Sequence, residues 1–188
     1  RPAEVQQQAR DAFVAQVAAL ASDLDHPGAW QSLFTADQIN AWLALELTNH
    51  YPDMLQGDLS DPRLVIRDNE ATLACRYESG EMAAVLSLSF DVYLHEPNVL
   101  ALRIRRARAG NVPVPLAQVL ENINHAAREL KLRIKWSKSH GDPVMLIHFD
   151  ERNPSSGFRL ETVELRDGEV FLAGSAGSPL QPPAPVTT

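Results

Sequence analysis

Four arginines are the first residues in this sequence whose type and spacing suggest a chemical role. Arg103, Arg105, Arg106 and Arg108 form the one basic concentration in an acidic chain. A guanidinium presents its N–H donors as a planar fork that matches two oxygens of a phosphate. Arg103 and Arg105 are therefore predicted to contact an anion or a lipid headgroup. The alternative is a solvated strand face on which the arginines pair with carboxylates such as Asp91.

A histidine followed by two acidic residues suggests part of a metal site. His148, Asp150 and Glu151 would place a histidine and a carboxylate on one strand face. Zinc sites in proteins use three or four protein ligands, and the sequence has no His-x-His or His-x-x-x-His pair. We therefore predict no metal site and no cofactor.

Ser139, His140 and Asp142 gather the residue types of a hydrolase triad within one short stretch. The members of such a triad meet in space and rarely sit side by side in sequence. A polar turn is the simpler interpretation, and the sequence has no G-x-S-x-G nucleophile motif. We predict no catalytic residue. An enzyme would need a cleft that gathers His148 or His140 with carboxylates of perturbed pKa.

Apolar residues of the middle region are candidates for a ligand pocket. We single out Leu88, Phe90, Leu102, Ile123 and Trp136, because ligand pockets are largely apolar and contain few polar groups. The same side chains would be ordinary core if the interior is filled. The sequence leaves both interpretations open.

The composition limits the classes of function. The chain has 188 residues, 45% hydrophobic content and a formal net charge of −7, which argues against a nucleic-acid partner because such partners require a basic surface. The single cysteine, Cys75, excludes an internal disulfide and is expected to be a small buried apolar residue.

No apolar run approaches the roughly 18 residues of a membrane-spanning helix. Because the sequence starts at Arg1 and not at a methionine, we expect a signal peptide or a membrane anchor to precede it.

Two helices are predicted near the N-terminus. Residues 2–24 repeat apolar side chains at three- and four-residue spacing. The second helix starts after Thr35, an N-cap whose capping box is completed by Gln38. It is predicted to stop by residues 50–51, because Pro52 disfavours helical geometry in the residue before it.

From residue 63 the apolar period changes to two, which is typical of strands. The alternation is clearest in residues 85–95, and it predicts an antiparallel sheet with one covered and one wetter face. Asp-Gly at 167–168 predicts a two-residue hairpin turn. The predicted strands are 64–67, 72–78, 85–95, 99–108, 132–136, 144–149, 158–165 and 170–173.

The third predicted helix, residues 116–130, carries an apolar stripe that should lie across the apolar face of the sheet. The predicted fold class is α+β: a curved antiparallel sheet of about seven or eight strands packed on a long helix, with two N-terminal helices nearby. Residues 1–174 are predicted to form a single domain. The proline-rich tail 175–188 lacks apolar periodicity and is predicted to be disordered.

Four segments carry a likeness to known proteins. They are the capped helix start at 34–40, the alternating strand 100–108, the passage 109–115 into the third helix, and residues 163–170. Together they resemble the YpmS-like and LmeA-like families, bacterial extracytoplasmic proteins held at the membrane by an N-terminal span or lipid anchor. The resemblance implies a lipid or other apolar ligand in a groove between sheet and helix, and it supplies no catalytic residues.

Two functions of different classes remain as hypotheses. The first is a non-enzymatic, extracytoplasmic, membrane-associated domain that binds a lipid-like or other apolar ligand, with the membrane reached through an N-terminal anchor. The second is a protein-interaction or scaffold module without a small-molecule ligand, which would use the arginine strand or the first helix as its contact surface. A self-complementary interface of more than about 1,000 Å² would favour the second.

Overall fold

The computed structural model describes residues 2–47, 59–149 and 157–177 and shows an α+β fold. The described part contains three α-helices, one of them continued by a π-helical turn, Leu43–Leu47. The helices are α1 (Ala3–Leu24), α2 (Ala36–Trp42) and α3 (Leu116–Glu129).

The ten strands of the described part form two antiparallel sheets. In the larger sheet, six strands lie in the order β2-β3-β4-β5-β8-β7, and the short β6 pairs with β5 as the seventh. The smaller sheet has the order β1-β10-β9. The strands are β1 (Gly28–Thr35), β2 (Leu59–Arg67), β3 (Glu70–Ser79), β4 (Met82–Glu96), β5 (Val99–Ala109), β6 (Val112–Pro113), β7 (Ile134–Ser139), β8 (Asp142–His148), β9 (Arg159–Arg166) and β10 (Glu169–Ala176).

The α+β class and the antiparallel sheet agree with the sequence analysis, but the arrangement at the N-terminus does not. A strand, β1, separates the two N-terminal helices and pairs with β10. Trp30, Ser32 and Phe34 are buried while the residues between them are exposed, and burial at every second position requires extended backbone. The helix predicted to be long is also short, since α3 has 14 residues.

One face of the larger sheet is apolar across several strands. Leu88 of β4 lies opposite Leu73 of β3 and Ala107 of β5, as the register of the strands shows. Further along, Val92 pairs with Leu102. Since directly opposite residues of an antiparallel pair point to the same side, these side chains form one continuous face, as the alternation in 85–95 predicted.

The smaller sheet covers one end of this apolar face. Leu165 of β9 packs with Ile66 and Ala71 of the larger sheet in one hydrophobic cluster. A second cluster is built on Trp30 and Leu160, with Leu94 and other partly buried residues packed against it. The core therefore lies between the two sheets at this end, and neither cluster contains a residue of α3.

Helix α1 packs on β1 and α2 through Phe13. Its ring centroid lies 5.4 Å from that of Phe34 and 5.8 Å from that of Trp42. Gln16 Nε2 donates to the hydroxyl of Ser32 at 3.2 Å, which gives this buried serine a polar partner. No residue of α1 is itself buried.

The predicted start of the second helix is confirmed. The Gln38 backbone N–H donates to Thr35 Oγ1 at 3.2 Å, and the Thr35 backbone N–H donates to Gln38 Oε1 at 2.8 Å. Farther along the helix, the Asn40 side chain bonds both backbone groups of Leu64 and so ties α2 to the edge strand β2. The predicted end of the helix at residues 50–51 lies outside the described residues.

The C-terminal elements start or end a few residues away from their predicted positions. The Asp167-Gly168 turn joins β9 to β10, and Gly168 has a φ of 76°. Strand β10 continues to Ala176, two residues past the predicted domain boundary. Residues 178–188, most of the predicted disordered tail, lie outside the described residues.

Candidate functional site

The two arginines predicted to bind an anion face a carboxylate. Arg103 donates from Nε at 2.8 Å to Asp142 Oδ2, and its Nη2 lies 2.7 Å from the same oxygen. Arg105 Nη1 donates to that oxygen at 3.0 Å, and its Nε lies 3.6 Å from Asp91. This geometry matches the alternative of arginines paired with carboxylates. An anion at Arg103 and Arg105 would have to compete with Asp142.

The stretch with triad residue types is the hairpin turn between β7 and β8. His140 and Gly141 form the two-residue loop, with φ values of 51° and 90°, as is typical of tight hairpins. Ser139 Oγ lies 3.1 Å from His140 Nδ1, while the Asp142 carboxylate accepts hydrogen bonds from the arginines of β5. The geometry is that of the polar turn that the sequence predicted.

His148 ends strand β8 and lies opposite Val99. Its Nε2 is buried and has no hydrogen-bond partner within the described part of the chain. In residues 2–47, 59–149 and 157–177, no group of three or more metal-ligating side chains comes together. Asp150 and Glu151 lie outside the described residues.

Four of the five residues predicted to line an apolar pocket share the apolar face of the larger sheet. Leu88 and Phe90 occupy alternate positions of β4, and Leu102 of β5 lies opposite Val92 on the same face. Trp136 joins the same face from β7, because it pairs with Met145 and Met145 pairs with Leu102. The fifth residue, Ile123, lies half-buried on α3.

Helix α3 approaches this face at the β7 edge of the sheet. The indole Nε1 of Trp136 donates to Asn124 Oδ1 of α3 at 2.8 Å. The smaller sheet meets the same face elsewhere, where Phe90 and Val92 pack against the cluster that includes Leu165. The helix and the smaller sheet therefore lie on one side of the larger sheet, at separate places.

Several apolar residues on that side belong to neither hydrophobic cluster. All are half-buried, so water still reaches part of each side chain. Three of them are neighbours by register, since Leu73 pairs with Leu88 and Leu86 lies two residues before Leu88 on β4, whereas Leu102 of β5 pairs with Val92, four residues further along β4. We call this surface the apolar strip, and its members are Leu73, Leu86, Leu88 and Leu102.

An open cleft of about 880 Å³ lies at the C-terminal end of α3. We call it the basic cleft, because three of its lining residues are cationic and one is acidic. None of the five predicted apolar residues lines it. The residues that line it are Glu121, Asn124, Ala127, Arg128, Leu132, Arg133, Ile134, Lys135 and His148.

Backbone hydrogen bonds hold the walls of the basic cleft together. After α3 ends, the Leu132 N–H donates to the Ala127 carbonyl at 2.8 Å. The His148 N–H donates to the Arg133 carbonyl at 3.1 Å and fixes β8 against the segment that leads into β7. Helix, connecting segment and strand therefore converge on one hollow.

The sequence analysis missed this cleft and was wrong to treat the arginines of β5 as the one basic concentration. Residues 128–135 read Arg-Glu-Leu-Lys-Leu-Arg-Ile-Lys. Cations recur there across a helix end and a strand start, which is a signal that could have been used. The structure brings Arg128, Arg133 and Lys135 to one hollow.

Cys75 lies on β3 opposite Leu86 and is half-buried. Burial raises the pKa of the Cys75 thiol above its ordinary value, because a thiolate loses solvation in apolar surroundings. Cys75 is therefore mostly a neutral, apolar neighbour of the apolar strip at neutral pH.

In comparisons with protein-family models, curated proteins and solved structures, none matches this chain significantly. Within the described residues, no helix combines the length and the apolar character needed to cross a membrane.

Proposed function

We propose that this protein binds a lipid-like or other apolar ligand along the apolar strip, as a non-enzymatic domain. The observation that supports the proposal is a set of half-buried leucines on the apolar face of the larger sheet that belong to neither hydrophobic cluster. Covering apolar surface contributes roughly 25 cal/mol per Å². A ligand with an apolar chain therefore gains affinity at this surface that a polar solute does not.

We also propose that the protein is associated with a membrane outside the cytoplasm. This part of the proposal depends on the resemblance of four segments, 34–40, 100–108, 109–115 and 163–170, to the YpmS-like and LmeA-like families. Fractionation of cells that carry the natural full-length gene product tests it. We expect the protein in the membrane fraction and its domain accessible to protease from the extracytoplasmic side.

The ligand proposal is tested with a neutral apolar probe and one pair of variants. N-phenyl-1-naphthylamine becomes fluorescent in apolar surroundings, so its fluorescence should rise on binding to protein purified without detergent. Leu88→Gln should weaken probe binding, because it places an amide in the apolar strip. Val85→Gln is the matched control, since Val85 is on the same strand, faces the other side and is 55% exposed.

Native mass spectrometry of the same detergent-free protein provides a second readout. A co-purified apolar molecule that Leu88→Gln loses and Val85→Gln retains would support the proposal. Equal probe binding by the two variants, with both folded as judged by circular dichroism, would contradict it.

The second candidate function is a protein-interaction module that uses the outer face of α1. Val14 and Val17, three residues apart on α1, are 46% and 43% exposed, and exposed apolar patches often mark interaction sites. Sedimentation velocity over a wide range of concentrations tests self-association through this face. A dimer that Val14→Lys disrupts would favour this function, whereas a monomer at all concentrations would count against a self-complementary interface.

A further inference from the structure

We infer that the basic cleft binds the phosphate group of an amphiphilic phosphate ester, whose apolar chains lie on the apolar strip. The inference extends the proposed function, because the chains would occupy the surface already proposed for an apolar ligand. It rests on the charge of the cleft, on one buried nitrogen and on the apolar part of the cleft wall.

The charge of the cleft is opposite to that of the whole protein. Arg128, Arg133 and Lys135 line it with a single carboxylate, that of Glu121, in a chain whose formal net charge is −7. Arg128 and Lys135 are exposed, so an anion can reach them without unfolding of the site. Charge-assisted hydrogen bonds from arginine and lysine to phosphate are shorter and stronger than neutral ones.

A buried imidazole nitrogen supplies the second argument. His148 lines the cleft, and its Nε2 is buried without a partner among the described residues. A buried polar atom without a hydrogen bond costs free energy. A phosphate oxygen in the cleft would provide the missing partner, either as acceptor from Nε2–H or, when protonated itself, as donor.

The cleft wall also leads towards the apolar strip. Ala127, Leu132 and Ile134 contribute apolar surface to it. Ile134 lies two residues before Trp136 on β7 and therefore on the same side of the sheet, and Trp136 shares that side with Leu102. By the same alternation Lys135 and His148 face the other side of the sheet, so a molecule with its phosphate in the cleft passes around the β7 edge and lays its apolar chain on the side of Trp136 and Leu102.

The Trp136 indole provides a local reporter for a binding experiment. Its Nε1 is hydrogen-bonded to Asn124, and Asn124 lines the cleft. In ¹H–¹⁵N spectra, the indole signal is assigned by its loss in Trp136→Phe, and the signals of Trp30 and Trp42 serve as internal references. The probes are inorganic phosphate, dihexanoylphosphatidic acid below its micelle concentration, and the uncharged dihexanoylglycerol.

We expect phosphatidic acid to shift the Trp136 signal with the highest affinity of the three probes. Arg128→Gln combined with Lys135→Gln should weaken its binding about tenfold or more, because two charge-assisted contacts are lost. Lys138→Gln is the matched control, since Lys138 is an exposed lysine of the same strand that does not line the cleft. It should change the affinity less than about twofold.

The three probes separate failure of this inference from failure of the proposed function. If the uncharged diacylglycerol binds as tightly as phosphatidic acid and the double variant changes nothing, the phosphate inference is overturned and the apolar ligand proposal stands. If inorganic phosphate and phosphatidic acid bind equally and both depend on the two cations, the phosphate site is supported and the chains do not bind. If no probe shifts the Trp136 signal, the inference is overturned.

Discussion

Asn98 and Leu160 exchange two hydrogen bonds that join the two sheets. The Asn98 backbone N–H donates to the Leu160 carbonyl at 3.1 Å, and Asn98 Oδ1 accepts from the Leu160 N–H at 2.6 Å. Asn98 lies in the turn between β4 and β5, is 9% exposed and has a φ of 66°. Its Nδ2 also donates to the Phe158 carbonyl at 2.9 Å. One side chain thus continues the hydrogen bonding of β9 into the larger sheet.

Replacement of this side chain should destabilise the protein strongly. Asn98→Ala leaves the buried Leu160 N–H unpaired and puts alanine in the left-handed region, so the free energy of unfolding should fall by about 3 kcal/mol. Urea denaturation measures the loss. Asn69→Ala is the control, because Asn69 has a φ of 60° in an exposed turn and should cost only about 1 kcal/mol. Equal losses would mean that the side-chain hydrogen bonds of Asn98 contribute nothing.

Gly174 should not tolerate a side chain. A Cβ at this position would collide with the Arg159 carbonyl oxygen and come within 2.7 Å of Cζ2 of Trp30. Since a carbonyl oxygen in a paired strand cannot move freely, Gly174→Ala should lower the free energy of unfolding by about 2–3 kcal/mol. Ser175→Ala, at the next position on the other face of β10, should change it by less than about 0.5 kcal/mol. Chemical denaturation followed by tryptophan fluorescence checks both values, and a stability of Gly174→Ala equal to wild type would refute the predicted collision.

The ion pair between Arg103 and Asp142 should contribute little to stability. The two side chains are 20% and 32% exposed, so solvent screens their attraction. A double-mutant cycle with Arg103→Gln and Asp142→Asn should give a coupling free energy of about 0.5–1 kcal/mol. The more exposed pair Arg166–Glu164 should give about 0–0.5 kcal/mol in the same assay. A coupling several times larger for Arg103 would show that this pair is effectively buried.

Cys75 should make the stability of the protein fall at alkaline pH. Burial raises the pKa of its thiol above the ordinary value of 9.0, so the folded state holds the proton more tightly than the unfolded state. The stabilisation is complete below that ordinary pKa and is lost as the pH rises through the pKa of the folded state. Urea midpoints of wild type and Cys75→Ala, compared between pH 7 and 10.5, measure this. Parallel curves would contradict the prediction.

The larger sheet could be predicted because the alternation of apolar and polar residues in its strands shows which side chains are covered. Leucines alternate with serines in β4, and the paired residues on β3 and β5 are apolar at the matching positions. A pattern of this kind identifies a strand and its apolar face. It does not identify what covers that face, because several partners can bury the same leucines. Strands 158–165 and 170–173 and their Asp-Gly turn were predicted, but as part of the single sheet; their separate sheet with β1 was not predicted.

Strand β1 was missed because the polarity of its residues does not follow their burial. Ser32 is buried and Leu33 is 38% exposed, the reverse of what their side chains suggest. The hydroxyl of Ser32 is satisfied by Gln16 of α1, a contact that depends on the tertiary fold. Trp30 and Phe34 are four residues apart, which also fits one face of a helix.

The basic cleft could be predicted only in part. The cations of residues 128–135 are visible in the sequence, but they fall on a helix, a connecting segment and a strand. Whether such residues meet depends on where the chain turns after α3, and that turn is held by the backbone hydrogen bond between Leu132 and Ala127. This bond joins backbone groups, so the side chains in the sequence do not predict it.

The pairing of β1 with β10 has a consequence for how the chain folds during synthesis. Gly28 pairs with Ala176 and Thr35 with Glu169, so the smaller sheet joins opposite ends of the described chain. Contacts of such long sequence separation form slowly, and these cannot form until the last strand has left the ribosome. Until then β1 lacks its partner strand, and Trp30 lacks Leu160 and Ala176, with which it forms a hydrophobic cluster.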